Sequence, residues 1–396
     1  METVIESKYP FEDILTSPYI EQIRSITVHP ETGIVYAGDI DTPRILKLVP
    51  GDRASVLAGN GFFGYSPGFR TSAVISDPES MIFLNNQTII IADAGYNVLL
   101  QMNLDGYVSL FAGSPSSATL TTYKDGKLSE ATFAAPVALA KNNDGSIIYV
   151  SQSSLVREIN LGKFLNDSKH FFSTLIGTGM IKTIAGGKTT GYKDGAGKDA
   201  QFNGIFSLYV GRSSGNLYMS DYYNHAIRVY FPSNGTVSTI VGKKGGGYND
   251  GNIETAKLNG PWGIALDLKE NIYVSDYANN AIRKIGIDGT VSTMAGGESS
   301  GFYDGVGKDA QLYWPTVMAI DEKGETLYMG EFGNGDIRKL VISTRFLTTF
   351  AVREGMGNED GKGSDVRLCY PSFFGIDDKK RIFFSNIISS QMKYVY

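Results

Sequence analysis

The strongest constraint on this 396-residue chain is that it repeats itself. The clearest unit runs Leu258-Asn259-Gly260-Pro261-Trp262-Gly263-Ile264-Ala265, then Asn271-Ile272-Tyr273-Val274-Ser275-Asp276. It continues with Asn280-Ala281-Ile282-Arg283-Lys284-Ile285 and Gly289-Thr290-Val291-Ser292-Thr293. The unit before it holds Asn216-Leu217-Tyr218-Met219-Ser220-Asp221 and Ala226-Ile227-Arg228. The unit after it holds Leu327-Tyr328-Met329-Gly330-Glu331 and Ile337-Arg338-Lys339. Equivalents of Ile264 fall at Ile26, Met81, Leu139, Leu208, Val317 or Met318, and Phe374, seven units at a mean spacing of 58 residues. A fixed period of this length calls for a repeat architecture in which each unit packs on its neighbours.

Each unit contains four short runs of β-branched and aromatic residues, of strand length and without a 3.6-residue stripe. Between them stand Asp105-Gly106, Asp144-Gly145, Asn234-Gly235 and Asp288-Gly289, the dipeptides that tight hairpins require. The pattern predicts an all-β chain forming a single β-propeller of four-stranded antiparallel blades, with seven blades and six as the alternative count. One domain then spans 1–396, with blades beginning near 22, 77, 133, 202, 258, 312 and 368. An insertion at 161–179 separates strands of the third blade. The last unit ends Gln391-Met392-Lys393-Tyr394-Val395-Tyr396, matching only a third strand, while Glu2-Thr3-Val4-Ile5 resembles an outer strand. This predicts closure by the N-terminal strand pairing into the last blade, which would remove two open sheet edges.

The segments Pro-x-Gly-Ile-Ala, Asn-Ile-Tyr-Val-Ser-Asp, Asn-x-Ala-Ile-Arg-Lys-Ile and Val-Ser-Thr-Met-Ala-Gly, with Gly191-Tyr192-Lys193-Asp194-Gly195 between units, resemble the NHL-repeat β-propellers. The resemblance covers nearly the whole chain and is sharpest over 180–340, while units one, two and seven depart from it. It implies the propeller fold. For function it implies only a range, since members bind proteins, RNA or glycans and some relatives are lyases.

Charge narrows that range. Lys and Arg number 36 against 41 Asp and Glu, a net −5, which argues against nucleic acid as the partner. One cysteine, Cys369, excludes an intramolecular disulfide and a cysteine metal cluster. No run approaches the ~18 apolar residues of a membrane span. Residues Met1 to Lys8 carry no leader pattern, so the chain is expected to be cytoplasmic if Met1 is the natural start. It would be secreted or cell-surface if a signal peptide has been removed.

No cofactor is expected. The three histidines, His29, His170 and His225, are scattered over units one, three and four, against a shared zinc site. Acid pairs in the inter-unit loops, such as Asp194 with Asp199 and Asp304 with Asp309, raise calcium. Each pair offers few carboxylates, and the Asp before Gly reads as a turn-former. A second acid set, Asp39, Asp93, Asp221, Asp276 and Glu331, precedes Arg228, Arg283 or Arg338 by seven residues in the later units. Repeated ion pairs, or bonds to backbone amides, are expected there, as architecture. No nucleophile elbow, Walker loop or dinucleotide fingerprint occurs.

The aromatic residues supply the binding candidates. Tyr96, Tyr222, Tyr223, Tyr277 and Phe332 follow second strands and fall on the face of the inter-unit loops, with Trp262 and Trp314 entering inner strands nearby. Tyr and Trp are typical interface anchors, although packing between blades is the competing role. Phe171 and Phe172 in the insertion form either a second binding patch or part of a folded-back hairpin. The leading expectation is a non-enzymatic interaction platform for a protein or peptide. The alternatives are a glycan-binding propeller and a metal-dependent propeller hydrolase or lyase.

Overall fold

The computed structural model describes residues 23–29, 31–32, 34–40, 42–48, 55–116, 122–162, 179–242, 245–321, 323–334 and 336–351, and the backbone of strands at 371–376, 382–386 and 391–395. Strand-length apolar runs joined by glycine turns become seven antiparallel sheets, in chain order. The fifth is typical, with an inner strand Pro261–Leu266, then Ile272–Asp276, Ala281–Ile285 and an outer strand Thr290–Gly296. The fourth comprises Ile205–Val210, Leu217–Asp221, Ala226–Phe231 and Thr236–Val241. The sixth comprises Pro315–Ile320, Thr326–Glu331, Asp336–Val341 and Phe346–Ala351. Inner strands of successive sheets lie side by side, and Pro371–Ile376 lies next to Ile23–Val28 of the first sheet. This is the architecture of a β-propeller.

A fifth strand in five of the sheets is absent from the sequence reading. Each connecting segment, before entering its own sheet, pairs two residues onto that sheet's outer strand, as Gly251 and Asn252 do with Val291 and Thr290. The added pair covers part of an edge that would otherwise offer unpaired backbone groups. The proposed N-terminal closing strand near Val4, and most of the insertion with Phe171, Phe172 and His170, lie outside the described residues. No helix among the described residues is long and apolar enough to cross a membrane.

The apolar core sits between sheets. Ile227, Val229 and Val241 of the fourth pack with Ile264, Leu266, Ile272 and Val274 of the fifth. Ala265, Tyr273 and Ile282 of the fifth pack with Leu327, Met329 and Leu340 of the sixth. Polar side chains add links across the same junctions. Ser25 Oγ donates to Pro78 O at 2.6 Å from sheet one to sheet two, and Ser275 Oγ donates to Thr316 O from sheet five to sheet six.

Within each of sheets four, five and six a completely buried arginine organises the connecting segment. Arg283 Nη1 donates to Asp276 Oδ2 at 2.8 Å and to Lys257 O, while Nη2 donates to Asp250 Oδ1 at 2.8 Å and to Asn249 O. Arg228 repeats this with Asp221, Gln201 O, Asp194 and Lys193 O, and Arg338 with Glu331, Gln311 O, Asp304 and Tyr303 O. A ring covers each guanidinium: Tyr248 lies 5.0 Å from Arg283, Phe202 4.7 Å from Arg228 and Phe302 5.1 Å from Arg338. Bidentate donors, paired carboxylates and satisfied carbonyls let a full charge exist where burial alone would forbid it.

Both expected roles of the strand-end acids therefore occur. Asp221, Asp276 and Glu331 pair with arginine, whereas Asp93, in a sheet with Leu100 at the arginine position, accepts the amides of Ser76, Asp77 and Tyr96. The loop acids are not simple turn-formers. Asp194, Asp250 and Asp304 accept from Thr239, Thr293 and Thr349 of the outer strands and hold the arginines.

Replacing Arg283 with Leu strands the buried Asp276 and should lower unfolding free energy by about 3–5 kcal/mol. The double variant Arg283→Leu/Asp276→Asn should recover part of that loss, as read by denaturant melts. Asp276 also carries a pH signature. Burial pushes its carboxyl up to about 6 against the opposing pull of Arg283. A folded value above the unfolded one means that the folded state holds the extra proton, so this group's contribution is full in acid and fades as pH rises through about 6. The stability gap between the parent and Asp276→Asn should shrink between pH 4 and pH 7. A gap that widens over that range would contradict the assignment.

Candidate functional site

At the end of each second strand the chain turns tightly, and the residue after the acid projects onto the loop face. In sheets four, five and six that residue is aromatic: Tyr222, Tyr277 and Phe332. The turn is held from below by the dipeptide that leads into the inner strand of the same sheet. Tyr222 N and Tyr223 N donate to Gly204 O and Asn203 O, Tyr277 N and Ala278 N to Gly260 O and Asn259 O, and Phe332 N and Gly333 N to Trp314 O and Tyr313 O. The first amide of each dipeptide donates to the buried acid, Asn203 to Asp221, Asn259 to Asp276 and Tyr313 to Glu331. An asparagine three residues beyond the acid completes the lock: Asn224, Asn279 and Asn334 donate to Gly191 O, Gly247 O and Gly301 O.

Upon this frame the side chains form one continuous array. Phe206 lies 5.1 Å from Tyr222 and 5.0 Å from Trp262, and Tyr222 lies 4.9 Å edge-on to Tyr223. Trp262 lies 5.4 Å from Tyr277. Tyr277 stacks on Trp314 at 5.6 Å with planes 13° apart, and Trp314 touches Tyr313 at 4.5 Å and Phe332 at 6.1 Å. Six of the residues named from sequence are thus brought together: Tyr222, Tyr223, Tyr277, Phe332, Trp262 and Trp314. Tyr96 stands apart, its ring against Tyr65 at 6.1 Å.

Phe206 and Tyr313 belong to the array and were not singled out from sequence. Phe206 aligns with Trp262 once Leu208 is aligned with Ile264, so the repeat register carried the signal. Trp314 occupies a left-handed backbone position, φ +54°, where sheets four and five have Gly204 and Gly260. A bulky residue at positive φ is costly, and such cost gathers at functional positions.

The array has an electrostatic character of its own. Its eight rings bring phenol hydroxyls and indole N–H groups but no charged side chain, since Asp221, Asp276 and Glu331 are buried and paired with arginine. Burial pushes the Tyr277 phenol up to about 12, so it stays a hydrogen-bond donor at any physiological pH. Tyr223 is 58 % exposed, and the remaining rings are partly exposed. Among the described residues no three His, Cys, Asp or Glu side chains converge as a metal site would require. A cavity of about 560 Å³ lies elsewhere, lined by Ser213, Tyr218, Glu270 and Ile287.

Close packing around the glycines tests this geometry. A Cβ at Gly260, φ +64°, would sit 3.0 Å from the Tyr222 ring, and one at Gly204 would sit 2.7 Å from the Tyr223 ring. Gly260→Ala should cost about 1–2 kcal/mol from the left-handed backbone alone and alter the aromatic near-ultraviolet circular dichroism. An unchanged melt and spectrum would show that this glycine does not seat the rings.

No protein-family model matches the chain. It is 26% identical over 282 residues to Protein SUPPRESSOR OF QUENCHING 1, chloroplastic, of Arabidopsis thaliana, covering 67% of this chain and 25% of that protein. It is 26% identical over 314 residues to NHL repeat-containing protein 2 of Homo sapiens, covering 69% of this chain and 40% of that one. The chain therefore spans less than half the length of either relative. Among solved structures, virginiamycin B lyase from Staphylococcus aureus superposes with a TM-score of 0.57 at 12% identity, over 94% of each chain. An auxiliary nutrient binding protein from Bacteroides ovatus gives 0.54 at 15% identity, over 91% of this chain and 83% of that one. Taken with the repeat units and the propeller-like sheets, these similarities support an NHL-repeat propeller.

Proposed function

We propose that the chain is a non-enzymatic interaction platform, a seven-bladed ring that binds a protein or peptide partner on its aromatic loop face. The observation that carries this reading is the array from Phe206 to Phe332. It interrupts an otherwise repeated frame in three consecutive sheets and nowhere else among the described residues. In the second sheet the equivalent turn position is Ala94, which leaves Tyr96 and Tyr65 as a separate pair. Architecture alone would repeat in every unit, so an asymmetric departure from the repeat is where selection for a partner would show.

The chemistry of the surface fits that use. Large rigid rings lose little side-chain entropy on binding, and their hydroxyls and indole N–H groups supply the few directional contacts that fix register. An open array without charge suits an extended partner more than an enclosed small molecule. The acids that a hydrolytic mechanism would recruit near this face are engaged with buried arginines. The ring itself is supported by the neighbouring inner strands and by the last sheet lying next to the first. We assign its closure to the N-terminal segment pairing into that last sheet.

The test is capture of partners from the source cell on immobilised protein, compared with a Tyr223→Ala/Tyr277→Ala variant whose melting curve matches the parent. Loss of capture by more than tenfold, about 1.4 kcal/mol, is expected from removing two ring anchors. Full retention of every captured partner would end the platform reading. Glycan-array binding that the same variant abolishes would redirect it to sugars.

A further inference from the structure

The loops beneath the array are joined from one sheet to the next by a hydrogen bond that recurs. In sheets two and five the left-handed residue that ends the second turn is asparagine, Asn97 at φ +58° and Asn280 at φ +51°. Its Oδ1 accepts the amide of the residue entering the next sheet's inner strand, Ala135 at 2.8 Å and Trp314 at 3.0 Å. In sheet four the same position, φ +55°, holds His225, and its Nδ1 accepts the amide of Gly260 at 3.0 Å. One backbone geometry, one acceptor and one donor position recur, but only the imidazole can be turned off by a proton.

We propose that His225 is a proton-sensitive positioning residue of the aromatic array, holding Asn259–Gly260–Pro261 in place when neutral and releasing it when protonated. Accepting at Nδ1 places the neutral ring's hydrogen on Nε2. Protonation puts a second hydrogen on Nδ1, which then faces the Gly260 N–H, donor against donor. The consequence is local to the array, because Gly260 lies against the Tyr222 ring and leads two residues on into Trp262. The other side of the imidazole is filled as well, since a Cβ at Gly246 would meet it at 3.0 Å.

Burial lowers the His225 value, with no opposing carboxylate as a cause. A folded value below the unfolded one means that the unfolded chain binds the proton first. The stability tied to this bond is therefore present above the ordinary histidine range and lost as pH falls through it. Asp276 works in the opposite direction on stability, and the His225 substitutions below, which leave Asp276 in place, separate the two in the emission. The titratable groups on the surrounding elements are Asp221, Tyr222 and Tyr223 of the same turn, Tyr248, Asp250, Glu254 and Lys257 on the segment that carries Gly246, and Asp276 behind Asn259; Asp250 is held by Arg283. Asp221 is committed to Arg228, Asn224 and the Asn203 amide. Lys243 and Lys244 of that segment lie outside the described residues.

The inference rests on the platform reading only for its effect on partner affinity, and its test needs no partner. The chain has two tryptophans, both in the array, so Trp314→Phe leaves Trp262 as the sole indole reporter. Emission from that variant should change sigmoidally between pH 7.5 and 4.5, with a midpoint below the ordinary histidine value of about 6.5. Adding His225→Asn restores the acceptor that sheets two and five use, and should abolish the transition while leaving the neutral-pH spectrum in place. Adding His225→Ala should give the acid-form spectrum already at pH 7.5. A transition that persists unchanged in the His225→Asn variant, or no transition in the histidine-bearing protein, overturns the proposal.

Discussion

A charge that cannot stay buried without partners determines how the later units of this protein are built. Arg228, Arg283 and Arg338 are completely excluded from water. Each is tolerable only because a strand-end acid, a loop acid and two carbonyls converge on it. Those four partners come from different stretches of the unit, so satisfying the guanidinium fixes the connecting segment against its own sheet. Arg157 in the third sheet shows how far the arrangement can vary. Gln152 takes the place of the strand-end acid, and Asp125 meets Nε at 3.1 Å. Sheet two goes further and removes the cation, leaving Asp93 to bind three amides instead. The left-handed residue that ends the turn is kept in sheets two, four and five, at Asn97, His225 and Asn280, whereas the turn of sheet three is two residues shorter.

Because the frame is over-determined, the residues it displays are free to differ. The position after the strand-end acid is Ala94 in the second sheet and Tyr222, Tyr277 and Phe332 in three later ones, on turns of similar construction. Trp314 can occupy a left-handed position only because its neighbours grip it. Its amide is held by Asn280, and its carbonyl accepts Phe332 N. The array is thus a local specialisation laid over a structural repeat, and the histidine at 225 is a second specialisation of the same kind.

Much of the fold was legible because the period, the dipeptide turns and the strand-end acids are local signals that recur. The arginine partners were legible in part. A seven-residue interval connects Asp276 to Arg283 across one hairpin, but the loop acid Asp250 reaches the same guanidinium across 33 residues, and no local pattern links them. The two-residue edge strands escaped for the same reason, since their partners lie far along the chain. Of the aromatic residues, those in sheets four to six were foreseeable from register. Tyr96 lies on the equivalent turn but outside the array, because ring contact depends on which neighbouring turns are also aromatic, and that is a property of adjacent units rather than of one. The asparagines at 224, 279 and 334 follow a regular Asp-x-x-Asn or Glu-x-x-Asn spacing that only the geometry explained.

The arginine partners in sheets four to six lie no more than 35 residues away, all inside one unit and its leading segment. Across the junctions between units the links are apolar surface, hydrogen bonds such as those of Glu270 with Ser213 and Ser214, and pairs of exposed lysines with aspartates at Lys198–Asp125 and Lys308–Asp250. Such a molecule behaves as a chain of semi-autonomous modules coupled to nearest neighbours. Damage to one clamp therefore softens one sector and its two flanks before it reaches the rest. Hydrogen-exchange protection should accordingly fall off in steps from sheet to sheet, and partly opened states should differ in which sheet has come loose.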